Sequence, residues 1–78
     1  MRKYLETLIT EKGRDLEDIL EVEGPSGTNY MPLAVLVEAI DHAPTREQQA
    51  IRKQLVYIDF HNGDVFDYFR HIAQAIAA

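Results

Sequence analysis

The feature that most constrains the fold of this chain is the apolar run at residues 30–40, which reads YMPLAVLVEAI. Ten of its eleven residues are uncharged, and Glu38 is the only exception. So much apolar surface in 78 residues must be covered by a core or by a partner. Because the run is apolar almost all round, it predicts a helix over residues 30–41 at the centre of a small domain.

Composition sets the broad class of the protein. The chain is 46% hydrophobic, carries a formal net charge of −5 and has no cysteine. These values are ordinary for a globular protein and predict a single domain over residues 1–78, without a disulfide framework or thiolate chemistry. No apolar run reaches the roughly 18 residues of a membrane span, and the first residues lack the apolar core of a signal peptide. We therefore expect a cytoplasmic protein with no membrane contact.

Apolar residues at spacings of three and four predict further helices on both sides of the central run. The predicted fold class is all-α, a compact bundle of four to five short helices around the helix at 30–41. The first helix ends at Gly13, Asp15 caps a short second one, and Thr45 opens the fourth with a capping box that includes Gln48. The apolar positions that define these helices are Leu5, Leu8 and Ile9, then Leu16, Ile19 and Leu20, then Ile51, Leu55 and Ile58, and finally Val65, Phe69, Ile72 and Ile76.

The segment 55–69 allows two interpretations. Asn62-Gly63 between two apolar runs favours a β-hairpin, which would make the class α+β with a hairpin at 55–69. Alternatively, one helix ends near His61, Gly63 stops it, and Asp64 caps the next helix. The helical spacing of the later apolar residues favours this second interpretation.

Motifs that carry chemistry are weak throughout. The loop at 24–27 precedes a predicted helix, yet it lacks the lysine that a phosphate-binding P-loop requires. Asp59, His61 and Asp64 are potential metal ligands or acid–base groups, but polar residues are expected at a turn in any case. We therefore predict a non-enzymatic protein with no catalytic, cofactor or metal site.

Aromatic residues are the best indication of function. Such side chains are enriched at interfaces, because they bury a large area at a small entropic cost. The sequence predicts a protein–protein interaction module, or a small regulatory or accessory protein, that binds a protein partner or a second copy of itself as a homodimer. The predicted surface joins Tyr30, Tyr57, Phe66 and Tyr68 to the acidic residues Asp15, Glu17, Asp18 and Glu21.

Two alternatives use charge instead of apolar area. Arg46, Arg52 and Lys53 on the fourth predicted helix form the best basic face, which predicts a DNA-associated regulator. A net charge of −5 makes nucleic acid an unfavourable partner for this chain. In the other alternative, the acidic residues at 15–23 imitate a phosphate backbone and inhibit a nucleic-acid-binding enzyme.

Overall fold

The fold is α+β, and the prediction of an all-α bundle is wrong. A computed structural model describes residues 1–77 and contains four helices and one antiparallel β-hairpin. The alternative class, α+β, is the one observed, although the hairpin lies at 19–32 instead of 55–69. The elements, in chain order, are α1 (Arg2–Glu11), β1 (Ile19–Gly24), β2 (Gly27–Pro32), α2 (Leu33–Asp41), α3 (Thr45–Phe60) and α4 (Val65–Ala77).

The hairpin replaces the predicted second helix and the start of the predicted central helix. Along β1, exposed and buried residues alternate from Ile19 to Glu23, the period-two pattern of a strand with one buried face. Gly27 at φ +120 closes the turn, in a backbone conformation that favours glycine. In the register of the hairpin, Ile19 pairs with Pro32 at the open end, and Glu23 pairs with Thr28 near the turn.

Asp15 closes a local turn instead of capping a helix. Its carboxylate Oδ1 accepts a hydrogen bond from the backbone N–H of Glu17 at 2.9 Å. The carboxylate of Asp18 accepts one from the backbone N–H of Asp15 at 3.1 Å. The backbone N–H of Asp18 also donates to the carbonyl of Asp15 at 3.0 Å, and the segment makes only this single turn because β1 begins at Ile19.

The central apolar run is divided between two elements. Residues 30–32 belong to β2, and α2 begins only at Leu33, because Pro32 is held in an extended conformation (φ −61, ψ 143). The backbone N–H groups of Leu33 and Ala34 donate to the carbonyl oxygens of Asp18 and Leu16, each at 2.9 Å. These bonds satisfy the first donors of α2 and fix the helix against the loop before β1.

The preferred interpretation of residues 55–69, two helices joined by a turn, is confirmed. α3 ends at Phe60, and Asn62 adopts a left-handed conformation with φ 57. The backbone N–H of Gly63 donates to the carbonyl of Ile58 at 2.8 Å, and a Cβ at position 63 would lie 2.9 Å from Ile58 Cγ2. Asp64 Oδ1 accepts from the N–H of Phe66 at 2.9 Å, which is the predicted cap of the following helix.

The predicted capping box at Thr45 is wrong. Thr45 is the first residue of α3, and the preceding Pro44 occupies the cap position without a side-chain bond. Gln48 turns away from the α3 backbone, and its Nε2 donates to the carbonyl oxygens of Asp41 at 2.9 Å and Ala43 at 2.8 Å. This one amide therefore joins the end of α2 to the beginning of α3.

One apolar core connects all of these elements. The inner face of β1, with Leu20 and Val22, packs against α4, while α1 packs against α2 and α3 against α4. Among residues 1–76 no polar or charged side chain is buried.

No described helix is both long and apolar enough to cross a membrane, and each of these helices instead contributes apolar side chains to the core. The buried core consists of Leu5, Leu8, Ile9, Leu20, Val22, Leu33, Leu36, Val37, Ile40, Leu55, Val65, Phe66, Phe69 and Ala73.

Ion pairs and one cation–π contact attach α1 to its neighbours. Arg2 pairs with Glu38, which raises the pKa of the Arg2 guanidinium through a side-chain hydrogen bond and charge attraction. Lys12 pairs with Asp59 near the end of α3. The Arg52 guanidinium lies 4.6 Å from the centre of the Tyr4 ring. All of these contacts lie at the surface, so they orient α1 more than they stabilise the fold.

Candidate docking surfaces on α3 and the hairpin

Large apolar side chains remain exposed although the core is filled, and two regions, the end of α3 and the hairpin, each carry more than one of them, whereas Val35 on α2 and Ile76 on α4 are exposed singly. Three of the exposed side chains, Val56, Tyr57 and Phe60, lie within five residues at the end of α3. Phe60 is 82% exposed, the highest value among the large hydrophobic residues described. Scattered exposed apolar residues are normal on a protein surface, but a cluster indicates an interaction site.

The first region is the α3 outer surface, which lies opposite the buried Leu55. Helical geometry, with 3.6 residues per turn, brings exposed residues at spacings of three, four and seven to one side of the helix. This side is apolar towards the end of α3 and basic towards its beginning, and it carries no acidic residue. The α3 outer surface consists of Arg46, Gln49, Ala50, Lys53, Val56, Tyr57 and Phe60, all of which are exposed.

Aromatic rings are grouped at the apolar end of this surface. The ring centres of Tyr57 and His61 are 4.4 Å apart, and those of Phe60 and His61 are 5.3 Å apart with nearly perpendicular planes. Edge-on and tilted contacts of this kind are favourable arrangements for aromatic side chains. His61 therefore contacts both exposed rings.

The second region is the hairpin outer surface, which faces away from the core. It consists of the cross-strand pairs Ile19–Pro32, Glu21–Tyr30 and Glu23–Thr28. Ile19 is 57% exposed and Tyr30 is 65% exposed, and Thr28 Oγ1 donates a hydrogen bond to Glu23 at 3.1 Å. Neither strand contains a lysine or arginine, so the hairpin outer surface is acidic and apolar.

The four aromatic residues predicted to form one patch do not share one surface. The prediction that Phe66 belongs to an exposed patch is wrong, because Phe66 is only 8% exposed. Its ring centre lies 5.8 Å from that of Phe69, and the Arg14 guanidinium lies 5.0 Å from the centre of the Phe66 ring. Tyr68 is half-buried, and this burial raises the pKa of its hydroxyl. Tyr30 and Tyr57 are exposed, but one belongs to the hairpin outer surface and the other to the α3 outer surface.

The predicted acidic residues are similarly divided. Asp15 and Asp18 accept the turn hydrogen bonds described above, and Arg14 lies 3.9 Å from the Asp18 carboxylate. Glu17 is exposed in the same loop, whereas Glu21 lies on the hairpin outer surface. The four acids therefore do not flank the aromatic residues of α3.

The predicted basic residues all lie on α3, but they point in two directions. Arg46 and Lys53 belong to the α3 outer surface, and Lys53 lies one turn before the exposed Tyr57. Arg52 is directed towards α1, where it contacts the Tyr4 ring. Sequence reasoning missed Val56 and Phe60, although both fall off the Leu55 stripe once 55–69 is taken as helical.

A cleft between the end of α3 and α4 has a largely polar lining. It has a volume of about 450 Å³ and is lined by Ile58, Gly63, Asp64, Asp67, Tyr68 and His71. Within residues 1–77, no three His, Cys, Asp or Glu side chains converge in a way that could hold a metal ion. Asp59, one of the metal ligands considered above, instead pairs with Lys12.

No family model, curated protein or solved structure matches this chain. What this chain binds is therefore inferred from the two outer surfaces and their chemistry.

Proposed function

We propose that this protein is a non-enzymatic protein-binding module whose docking element is the α3 outer surface. The observation that carries the proposal is the exposure of Val56, Tyr57 and Phe60 together on one helix of a small domain whose core is already filled. Such a group of aromatic side chains beside a basic residue has the composition of an interface anchor.

The apolar area is sufficient for a reversible contact. An aromatic residue buries about 150–250 Å² in an interface, so the exposed fractions of these three residues amount to roughly 300–400 Å². At about 25 cal/mol per Å², this area contributes about 8–10 kcal/mol before the costs of association. Those costs are of similar size, about 4–15 kcal/mol, so the expected complex is of weak to moderate affinity.

The charge of the α3 outer surface defines the kind of partner. Lys53 lies one turn before Tyr57 and Arg46 lies near the start of the same surface, and no carboxylate interrupts them. A protein surface that combines apolar groups with carboxylates is therefore the complementary partner. Added salt should slow association with such a partner, because the two cations act mainly on the rate of encounter.

Site-specific photo-cross-linking tests the proposal. A photo-reactive phenylalanine analogue replaces Phe60 in one variant and Gln54, which is exposed on another side of α3, in a control variant. We expect a discrete protein adduct from position 60 that unlabelled wild-type protein competes away, and none from position 54. A Tyr57→Ala, Phe60→Ala double variant should fail to compete. Equal adducts from both positions, or competition by the double variant, would contradict the proposal.

A second candidate function is the binding of single-stranded nucleic acid by the same helix. Tyr57 and Phe60 could stack on bases while Arg46 and Lys53 contact phosphates, a combination typical of such sites. The net charge of −5 opposes this interpretation. Titration of a labelled oligonucleotide at low salt tests it: binding that Lys53→Glu abolishes would support it, and unaltered binding by that variant would count against it.

We also propose that the protein is located in the cytoplasm, the compartment that the sequence predicts. The chain contains no cysteine, so no part of its stability depends on an oxidising environment. Fractionation of cells that carry the protein with a small tag tests the compartment, and recovery from any other fraction would contradict it.

A further inference from the structure

We infer that the α3 outer surface docks onto the hairpin outer surface of a second copy of this chain, in a head-to-tail arrangement. This inference rests on the proposed function, because it names the partner of the same docking element. It follows from three properties that the two surfaces share: complementary charge, a matching order of apolar and charged groups, and comparable exposed area.

Charge complementarity is the first argument. The α3 outer surface carries two cations, Arg46 and Lys53, and no acid, whereas the hairpin outer surface carries two carboxylates, Glu21 and Glu23, and no base. Docking α3 against α3 would gather cations, and docking hairpin against hairpin would gather carboxylates. Only the unlike pairing brings opposite charges together, which favours it in both rate and specificity.

The order of groups along the two elements is the second argument. Each surface is apolar at one end and charged at the other, and this order fixes a single orientation. Phe60 and Lys53 are about 10 Å apart along the helix, and Ile19 and Glu21 are about 7 Å apart along the strand. Flexible lysine and glutamate side chains can span the difference, so Phe60 meets Ile19 while Lys53 meets Glu21.

The second charged pair is offset in this register. Arg46 lies one heptad before Lys53, about 21 Å from Phe60 along the helix, and Glu23 lies two residues beyond Glu21, about 13 Å from Ile19 along the strand. Arg46 therefore reaches Glu23 only when both side chains extend towards each other. In the middle of the hairpin outer surface, Tyr30 lies next to Glu21 across the hairpin and contributes an aromatic ring to the contact.

Exposed area is the third argument, and it sets the strength of the contact. Ile19 and Tyr30 are 57% and 65% exposed, so the hairpin outer surface offers an apolar area similar to that of α3. Together the two surfaces would bury less than the roughly 1,200–2,000 Å² of a stable complex. The association is therefore weak and depends on concentration.

The geometry of the contact predicts more than a dimer. Each chain carries one copy of both surfaces on different elements, so docking one pair leaves an unused surface on each partner. A contact between unlike surfaces is heterologous, and it continues into a ring or an open chain of copies unless one surface is blocked.

Mixing two blocked variants tests this arrangement. The helix variant carries Tyr57→Ala and Phe60→Ala, and the hairpin variant carries Ile19→Thr and Tyr30→Thr, which keep residues suited to a strand. All four residues are exposed, and circular dichroism checks that each variant is folded. By sedimentation velocity, the wild-type protein should form species larger than a dimer as its concentration rises. Each variant alone should bind at least about tenfold more weakly, as is usual when interface anchors are removed.

The decisive result is the behaviour of the mixture. An equimolar mixture should form a dimer and nothing larger, because it contains one intact pair of surfaces. Wild-type protein that stops at a dimer, together with a monomeric mixture, would overturn the head-to-tail arrangement. Wild-type protein that is monomeric at every concentration would overturn self-docking. In that case, the photo-cross-linking experiment separates the two proposals. A cross-link from position 60 to a different protein, competed away by wild-type protein, would leave the proposed function standing. The absence of any cross-link would contradict both the proposed function and self-docking.

A charge exchange gives an independent check. Lys53→Glu and Glu21→Lys should each weaken self-association, because each change places like charges opposite one another. The double variant Lys53→Glu, Glu21→Lys should restore self-association, since the carboxylate introduced at position 53 of one copy then faces the ammonium group introduced at position 21 of the next. A double variant that associates no more strongly than either single variant would overturn the proposed register.

Discussion

Replacement of Gln48 by glutamate should destabilise the fold far more than its small chemical change suggests. The Gln48 amide donates two hydrogen bonds to carbonyl oxygens, those of Asp41 and Ala43, at the junction of α2 and α3. A carboxylate of the same shape cannot donate either bond, and it places negative charge against two carbonyl oxygens. Both the lost bonds and this repulsion act on the folded state only.

The magnitude follows from the number of bonds. Each net hydrogen bond contributes about 0.5–1.5 kcal/mol, so the loss of two costs about 1–3 kcal/mol in the free energy of unfolding. A glutamate in the first turn of α3 gains about 0.3–1 kcal/mol from the helix dipole, which offsets part of this loss. In a domain of this size, each kcal/mol lowers the melting temperature by about 4–8 °C.

Gln49→Glu is the matched control for this prediction. Residue 49 is the exposed neighbour of Gln48 in the same turn of α3, so the control has the same charge change and a similar dipole effect. Thermal unfolding at neutral pH should show Gln48→Glu melting well below Gln49→Glu. The carbonyl oxygens of residues 41 and 43 should raise the pKa of the carboxyl group introduced at position 48. The difference in melting temperature between the two variants should therefore narrow as pH falls towards the ordinary glutamate pKa of about 4.3. Equal melting temperatures for the two variants would refute the role of Gln48.

Two further predictions concern the core and the tyrosines. Phe69→Ala should lower the free energy of unfolding in urea by about 3–5 kcal/mol, because Phe69 is 1% exposed. Phe60→Ala should change it by less than about 0.5 kcal/mol, because Phe60 is exposed. Similar losses in the two variants would contradict the burial described. Burial raises the pKa of Tyr68, so the folded state holds the phenol proton more tightly and loses stability as pH rises through the ordinary value of about 10. Tyr68→Phe should weaken this alkaline loss of stability, and an unchanged loss would argue against it.

Local sequence patterns were sufficient for all four helices, except that α2 begins at Leu33 instead of residue 30. α1, α3 and α4 each have apolar residues at helical spacing, and this pattern survives in the structure because each helix buries one face. Gly13, predicted to stop the first helix, adopts φ +76 just beyond α1. In these segments the local preference and the tertiary packing agree, so the sequence alone was informative.

Residues 15–24 were mispredicted because two periodicities overlap there. Leu16, Ile19 and Leu20 fit helical spacing, while residues 19–23 alternate as a strand does. The structure favours the strand, because Leu20 and Val22 then both face α4. α4 is more than forty residues away in the sequence, so a local pattern could not reveal this preference.

The docking surfaces show a similar limit. Helical spacing gives the direction of a side chain, but it does not show whether neighbouring elements bury that side chain. Phe66 falls beside the main stripe of its helix, yet the core is wide enough to bury it, while Ile76 lies on the stripe and is 46% exposed. The preferred helical interpretation of residues 55–69 already places Phe60 away from Leu55, so its exposure could have been found from the spacing alone.

The packing of β1 against α4 has a consequence for the order in which the protein folds. A two-stranded hairpin is at best marginally stable alone in water, and the apolar face of this one is covered by a helix made much later. During synthesis, Leu20 and Val22 therefore stay uncovered until residues 65–77 have emerged. A nascent chain that pauses before that point would present an unpacked apolar hairpin to chaperones or to neighbouring chains.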